Sequence, residues 1–335
     1  MTQPPTLAVD ARGLTIAWGR TPVVHDVSFD VRAGEVVALL GESGSGKTTI
    51  LRALAGLHRI AAGTLSIGAQ TVDAPGSRTW APPEKRSVGV VFQDYALFPH
   101  LSVAKNIAYG AADRSEVDTL LGRVGLDGYG PRKVTELSGG EQQRVAVARV
   151  LAQRPRVVLL DEPFSNLNRS LRQQLRDDTV GVIRATGAAA VLVTHDPEEA
   201  LACADRVAIL RDGRLLQLDT PEHVYRQPSC VAAAHATGDA FVVPVDADGR
   251  SALGPLQTTG DGGFAVIRPE QIMLSTEGNG VVASVTRSAF VGPVVQVTIE
   301  IGDQTVRALH TGSFAAGSVV HARVDGTCHR VEAPC

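Results

Sequence analysis

Two stretches and several single side chains of this sequence have the types and spacing for phosphate chemistry. The first stretch is GESGSGKT, Gly41–Thr48. Gly41, Gly44 and Gly46, with Glu42, Ser43 and Ser45 between them, let the backbone curl until several N–H groups face one anion. A helix beginning near Lys47 and running on through Thr49 adds the positive end of its dipole. Lys47 would reach terminal phosphates and the Thr48 hydroxyl would hold Mg²⁺. Lys47 is one of four lysines among 32 basic residues, so it is not drawn from a lysine-rich background. The loop follows the apolar run Val36–Leu40 and precedes Thr49-Ile50-Leu51, the strand, turn and helix start that a phosphate loop requires.

The second stretch is Ser138-Gly139-Gly140-Glu141, opening a helical segment that runs to Ala152. It forms a second anion cradle, although a serine and two glycines ahead of a helix are also an ordinary N-cap. The single side chains stand where apolar runs end. Val157–Leu160 ends in Asp161 and Glu162, a carboxylate for a metal and one for water activation, or else a solvated strand end. Val88–Phe92 ends on Gln93, an amide able to coordinate Mg²⁺ or position water, and Ala188–Thr194 ends at His195. Ligands collect at the C-terminal ends of strands in open α/β sheets, and a shared edge for Gln93, Asp161 and His195 raises the standing of all three. Trp18 serves equally well as core filler or as a stacking platform for adenine.

The elements that must position these groups divide the chain. Val27–Val31 alternates with period two, and with Leu7–Val9 and Leu14–Ala17 it predicts a small antiparallel lobe ahead of the nucleotide core. Continuous apolar runs such as Val157–Leu160 suit a parallel sheet covered on both faces. Residues Val103–Ala152 read mostly as helices, and the segment around Asp212-Gly213 reads as a hairpin. Beyond Gln227-Pro228 the texture changes to short alternating pieces with Gly and Asp turns, which predicts a separate small β-barrel or sandwich. The expected division is residues 6–238 and 239–335.

Composition bounds the rest. A chain of 335 residues with 44% apolar content has room for two cored domains, and a net charge of -3 with pI near 6.3 gives no pull toward nucleic acid. Cys203, Cys230, Cys328 and Cys335 lack CxxC or zinc spacing and are read as free thiols of a reducing cytosol. No apolar run is long enough to span a bilayer and the start lacks a basic-then-apolar signal, so a cytoplasmic chain is expected, with any membrane role exerted through a partner.

In order and combination these motifs resemble the ATPase subunit of an ABC importer over essentially the whole chain. GESGSGKT is similar to the Walker A loop, Gln93 to the Q-loop, LSGGEQQR (Leu137–Arg144) to the family signature and VVLLDE (Val157–Glu162) to Walker B. Glu162 then matches the catalytic base, His195 the switch histidine and Trp18 the adenine-stacking aromatic. Ile267-Arg268-Pro269-Glu270 is similar to the TOBE-type barrel appended to many such subunits. The resemblance implies a P-loop NTPase α/β cassette with an antiparallel β lobe and a helical lobe, followed by the small β domain. It implies two copies closing head to tail around two ATP and Mg²⁺, and a multi-spanning permease docked near Gln93 and the YALFPHLS loop at the cytoplasmic face of the membrane. A substrate-binding protein would take part indirectly. ALFPHLSVAKNIAYG, DEPFSNLN and THDPEEAL look most like ferric-iron importer ATPases, and polyamine, sulfate, phosphonate and thiamine importers share much of this pattern. A soluble ABC ATPase acting on nucleic acid or the ribosome is the alternative of another class. Two departures stand out: Asn168 where the family usually has aspartate in its dimer-contact loop, and Glu141 where many relatives have glutamine.

Overall fold

The computed structural model describes residues 6–165 and 169–332. The chain forms two compact units, Met1–Pro221 and Glu222–Cys335. The first opens with β1 (Leu7–Trp18) and β2 (Thr21–Arg32), an antiparallel pair whose alternation buries Val27, Phe29 and Val31. The chain then enters β3 (Val36–Leu40), buried at every residue, and α1 (Lys47–Ala55). It returns for β4 (Ala62–Ile67), β5 (Gln70–Ala74) and β6 (Thr79–Trp80), which complete an antiparallel sheet in the order β2-β1-β4-β5-β6. This is the predicted lobe. Arg86, wholly buried, donates to the Ala53 carbonyl at 2.6 Å and so caps the negative end of α1.

After β7 (Val88–Val91) come the helices α2 (Val103–Ala108), α3 (Val117–Arg123) and α4 (Gly139–Leu151), the expected helical stretch broken by short 3₁₀ turns. The unit finishes with β8 (Val157–Asp161), α5 (Arg169–Ala185), β9 (Ala189–Thr194), α6 (Pro197–Cys203), β10 (Arg206–Arg211) and β11 (Arg214–Asp219). The second sheet runs β11-β10-β3-β9-β8-β7, and its pairs are parallel except for the β10–β11 hairpin. That hairpin turns on Asp212 and Gly213, both at positive φ (48° and 72°), as an Asp-Gly turn requires. The buried runs of β3, β8 and β9 pack with Leu51 and Leu54 of α1 into one core.

The second unit contains two short helices, α7 (Pro221–Arg226, at the division) and α8 (Val231–Ala236), and then only strands. These are β12 (Phe241–Pro244), β13 (Arg250–Ser251), β14 (Gly254–Pro255), β15 (Gln257–Thr259), β16 (Phe264–Ile267), β17 (Ile272–Ser275), β18 (Val281–Phe290), β19 (Val295–Ile301), β20 (Gln304–His310), β21 (Val319–Val324) and β22 (Thr327–Val331). β17-β21-β18-β19-β20 is fully antiparallel, while β12-β16-β22-β15 includes one parallel pair, β15 with β22. Their inward residues, among them Val243, Ile267, Ile272, Val297 and Val320, make a core of their own. Arg268 explains why the helices ahead of residue 239 pack with this unit. Its buried guanidinium donates to the carbonyls of Tyr225 (2.7 Å), Ala234 (3.0 Å) and Asp239 (3.2 Å) and to Thr237 Oγ1 (2.9 Å).

The expectation of four free thiols is corrected at one position. Cys203 and Cys328 are free and buried, whereas Cys230 is disulfide-bonded. Spacing along the chain could not show this, because a disulfide depends on distance in space and not in sequence. Cys335 lies outside the described residues, as do Asn166, Leu167 and Asn168, so the departure noted at Asn168 has no structural counterpart here. Among the described residues no helix is long and apolar enough to cross a membrane.

Candidate active site

Strand order brings the single side chains together. Because β3, β9, β8 and β7 are parallel neighbours, their C-terminal ends share one edge, and there the chain carries the 41–48 loop, His195, Asp161-Glu162 and Gln93.

Glycine is required at two points of the loop. A side chain at Gly41 would lie 2.2 Å from the Leu210 carbonyl oxygen, so only glycine fits against β10. Gly46, at φ 99°, is the N-cap of α1 in a conformation other residues rarely adopt. Lys47 is buried, and its ammonium donates to the carbonyls of Gly41 and Glu42, both at 2.7 Å, with Ser45 Oγ at 3.4 Å. The lysine thereby braces the loop from within. Burial pushes its ammonium below the usual lysine value, opposed by the charges of Glu162 and Asp161.

Thr48 Oγ1 donates to Asp161 Oδ1 at 3.4 Å, joining the first turn of α1 to the end of β8. Burial raises the Asp161 carboxyl above its ordinary value, the Thr48 hydrogen bond opposes this, and Glu162 adds to the rise. A hydroxyl and a half-buried carboxylate are hard oxygen donors of the kind magnesium takes, so the pair fits that ion. Glu162 Oε2 lies 3.1 Å from His195 Nδ1. Its backbone is left-handed, φ 44°, a conformation that costs about 1–3 kcal/mol for a side chain of this type. Hydrogen bonds hold it there. Its N–H donates to the Val193 carbonyl (3.0 Å), and its own carbonyl accepts from Ser165 Oγ (2.9 Å). Ser165 Oγ in turn accepts from Gln93 Nε2 at 3.3 Å. Gln93, Ser165, Glu162 and His195 are thus one connected chain, and sequence reasoning missed Ser165 because a serine after a strand carries no signal.

Trp18, 48% exposed at the end of β1, donates from Nε1 to Thr49 Oγ1 at 3.4 Å, which places the indole beside the loop helix. Ser138 and Glu141 form a capping box at the start of α4: Ser138 Oγ donates to Glu141 Oε2 at 2.7 Å and the Glu141 N–H donates back to Ser138 Oγ at 3.4 Å. The Ser138 hydroxyl and the Ser138 backbone N–H, at 2.8 Å, both donate to the Glu141 carboxylate and hold it below its usual range. Gly139 and Gly140 begin the helix immediately after the serine. Within one chain the second cradle is therefore a finished helix N-terminus.

A second residue missed in the sequence is Arg149, near the end of α4. Its buried guanidinium donates to the carbonyls of Tyr95 (3.0 Å) and Ala96 (2.7 Å), two successive residues at positive φ. It stands at a cleft of about 450 Å³ lined also by Leu57, Phe92, Phe98 and Tyr109, of which Leu57 and Tyr109 are exposed.

The sequence model of the ABC transporter family matches residues 24–165, and that of the TOBE domain matches residues 265–329. The chain is 39% identical to the Fe(3+) ions import ATP-binding protein FbpC 1 of Rhodococcus jostii, over 96% of this chain and 98% of that protein. It is 37% identical to the protein of the same name, FbpC, from Escherichia coli, over 89% of each. Among solved structures it is similar to cbiO1 from Clostridium perfringens, part of the ABC transporter complex cbiONQ, with a TM-score of 0.60 at 25% identity, covering 66% of this chain and 91% of that one. Nearly full-length relatives at this identity, together with the two domain matches of this chain, settle the family: the chain belongs to the ATP-binding subunits of ABC transporters.

Proposed function

We propose that this chain is the ATP-hydrolysing subunit of a ferric-iron importer, acting as a pair of copies beneath a membrane permease at the cytoplasmic face. The observation that carries the chemistry is the 3.1 Å contact of Glu162 with His195, on the edge that also holds Lys47 and Asp161. In this reading Glu162 orients or deprotonates the attacking water, His195 hydrogen-bonds the terminal phosphate, and Lys47 with the N–H groups of Gly41–Thr49 holds the phosphates. Trp18 is the platform for adenine. Thr48, Asp161 and Gln93 would hold magnesium, which when bound spreads phosphate charge. Each chain carries one anion cradle at the start of α1 and another at the start of α4, which supports a head-to-tail pair. In it Ser138, Gly139, Gly140 and Glu141 of one copy complete the site of the other.

The cleft beside Gln93 suits a protein partner, since it is concave and largely apolar. The reading of cargo rests on the relatives, which are named for Fe(3+) import in both Rhodococcus and Escherichia.

Glu162→Gln is expected to bind ATP within about threefold of the parent and to slow hydrolysis at least a hundredfold, trapping a closed pair. Hydrolysis at the parent rate would remove Glu162 from the role of base. For cargo, deletion should abolish ferric-iron uptake and spare sulfate and polyamine uptake; the reverse pattern would reassign it. Hydrolysis stimulated by nucleic acid, with no membrane protein co-purifying, would overturn the importer reading.

A further inference from the structure

The base-stacking position does not stand alone. Trp18 ends β1 and remains 48% exposed, so its indole needs support to be held in one orientation. His58 supplies it twice. The imidazole packs on the indole with ring centroids 4.5 Å apart and planes tilted by 36°, and its Nε2 lies 2.9 Å from the Ala17 carbonyl oxygen. A carbonyl can only accept, so Nε2 carries the proton and donates. One residue therefore grips both the ring of Trp18 and the main chain immediately before it. The Arg52 guanidinium lies 5.9 Å from the indole centroid, and Thr49 accepts the indole N–H.

These supports come from one piece of chain. Thr49 and Arg52 lie on α1, whose first residue is Lys47, and His58 follows its last turn, with its own N–H donating to the Arg52 carbonyl at 3.2 Å. The helix that presents its N-terminus to phosphates thus also fixes the indole, at both of its ends. The spacing between a stacked base and the phosphate loop is built into α1.

We propose that His58 is a positioning residue for the nucleotide base, holding Trp18 ready for adenine so that little ordering remains to be done on binding. The proposal rests on the reading of Trp18 as the adenine platform. The side-chain contacts of His58 are with Trp18 and the Ala17 carbonyl and not with the phosphate loop, and this makes it testable by comparing a ligand with a base to one without.

The experiment measures binding of ATP and of inorganic tripolyphosphate, at fixed magnesium, to the full-length chain and to His58→Ala, His58→Phe and Trp18→Ala. Trp80→Phe serves as a background in which Trp18 is the sole tryptophan reporter by fluorescence. The expected result is a three- to tenfold loss of ATP affinity in His58→Ala, tripolyphosphate affinity within twofold of the parent, and an ATPase whose KM rises while kcat stays within twofold. His58→Phe, which keeps a ring and loses the donor, should fall between the two. Equal losses for ATP and tripolyphosphate in both His58 variants would overturn the proposal, since His58 would then act on the loop as a whole. If Trp18→Ala weakens ATP and His58→Ala does not, the proposal alone fails. If Trp18→Ala leaves ATP affinity unchanged, the platform reading falls and takes the proposal with it.

Discussion

The left-handed Glu162 is held by its own N–H on the Val193 carbonyl and by a serine hydroxyl on its carbonyl. Ser165 Oγ donates to the Glu162 carbonyl and accepts from Gln93, so the backbone at Glu162 is tied to the residue that ends β7. Removing the hydroxyl leaves that carbonyl only the weaker turn bond from the Ser165 N–H at 3.3 Å. Glu162 should then sample right-handed backbone conformations in which its carboxylate leaves His195. Ser165→Ala is accordingly expected to lower kcat by about three- to tenfold with KM for ATP unchanged, a loss of roughly 1 kcal/mol in the transition state alone. Ser165→Thr keeps the hydroxyl and should recover most of the rate. A steady-state comparison of the three proteins decides it, and a Ser165→Ala enzyme with parent kcat would show that Glu162 is held without the serine. The contrast with Lys47 shows what a sequence makes visible. A lysine after four loop positions with a fixed glycine pattern can be recognised because phosphate chemistry tolerates few substitutes, whereas any small hydroxyl in the turn after β8 looks like an ordinary turn residue.

At the scale of elements the same difference recurs. The strand ends were legible because each is an apolar run that stops on a polar residue, as at Val157–Leu160 before Asp161. The order β3-β9-β8-β7 that sets those ends side by side was not, since it pairs Val157 with Ala189, Val88 with Val157 and Val36 with Ala190, and no local pattern encodes pairing over such separations. Nor was the link between α4 and the turn after β7. There Arg149 brings a buried cation to two carbonyls that face it only because Tyr95 and Ala96 adopt positive φ. Burial lowers the Arg149 guanidinium from its usual value, and among the described residues its two hydrogen bonds to carbonyls offset the loss of water. Lysine in its place keeps the charge but cannot fork to both carbonyls. Arg149→Lys is expected to cost about 2 kcal/mol, about 4–8 °C in the unfolding midpoint of a unit this size. Hydrogen exchange should also quicken across residues 94–98 and stay slow in β8 and β9. Unchanged exchange in that turn would mean that its shape is set without the arginine. Because α4 begins with the Ser138 cradle and ends beside the cleft, a loosened turn should also weaken any stimulation of hydrolysis by a permease.

For the whole molecule the governing fact is that each of its two units has a hydrophobic core of its own. One is built from β3, β8, β9, α1 and the antiparallel lobe, the other from the strands after residue 240, and Arg268 binds the helices at Tyr225 and Ala234 to the latter. The residues with phosphate chemistry all belong to the first unit. A ligand stabilises only the structure that must be folded to bind it, by about 2.7 kcal/mol at a hundred times its dissociation constant. Calorimetry of the full chain is therefore expected to resolve two transitions. Saturating magnesium and ATP should raise one of them by about 5–10 °C and leave the other in place. Glu162→Gln is the form to scan, because it should bind nucleotide without consuming it during heating. The assignment of the responsive transition can be checked with Arg149→Lys, which should lower that transition and no other. A single transition that moves as a whole on adding nucleotide would show that the two units unfold as one, and the second unit would then share in every stability change made at the nucleotide site.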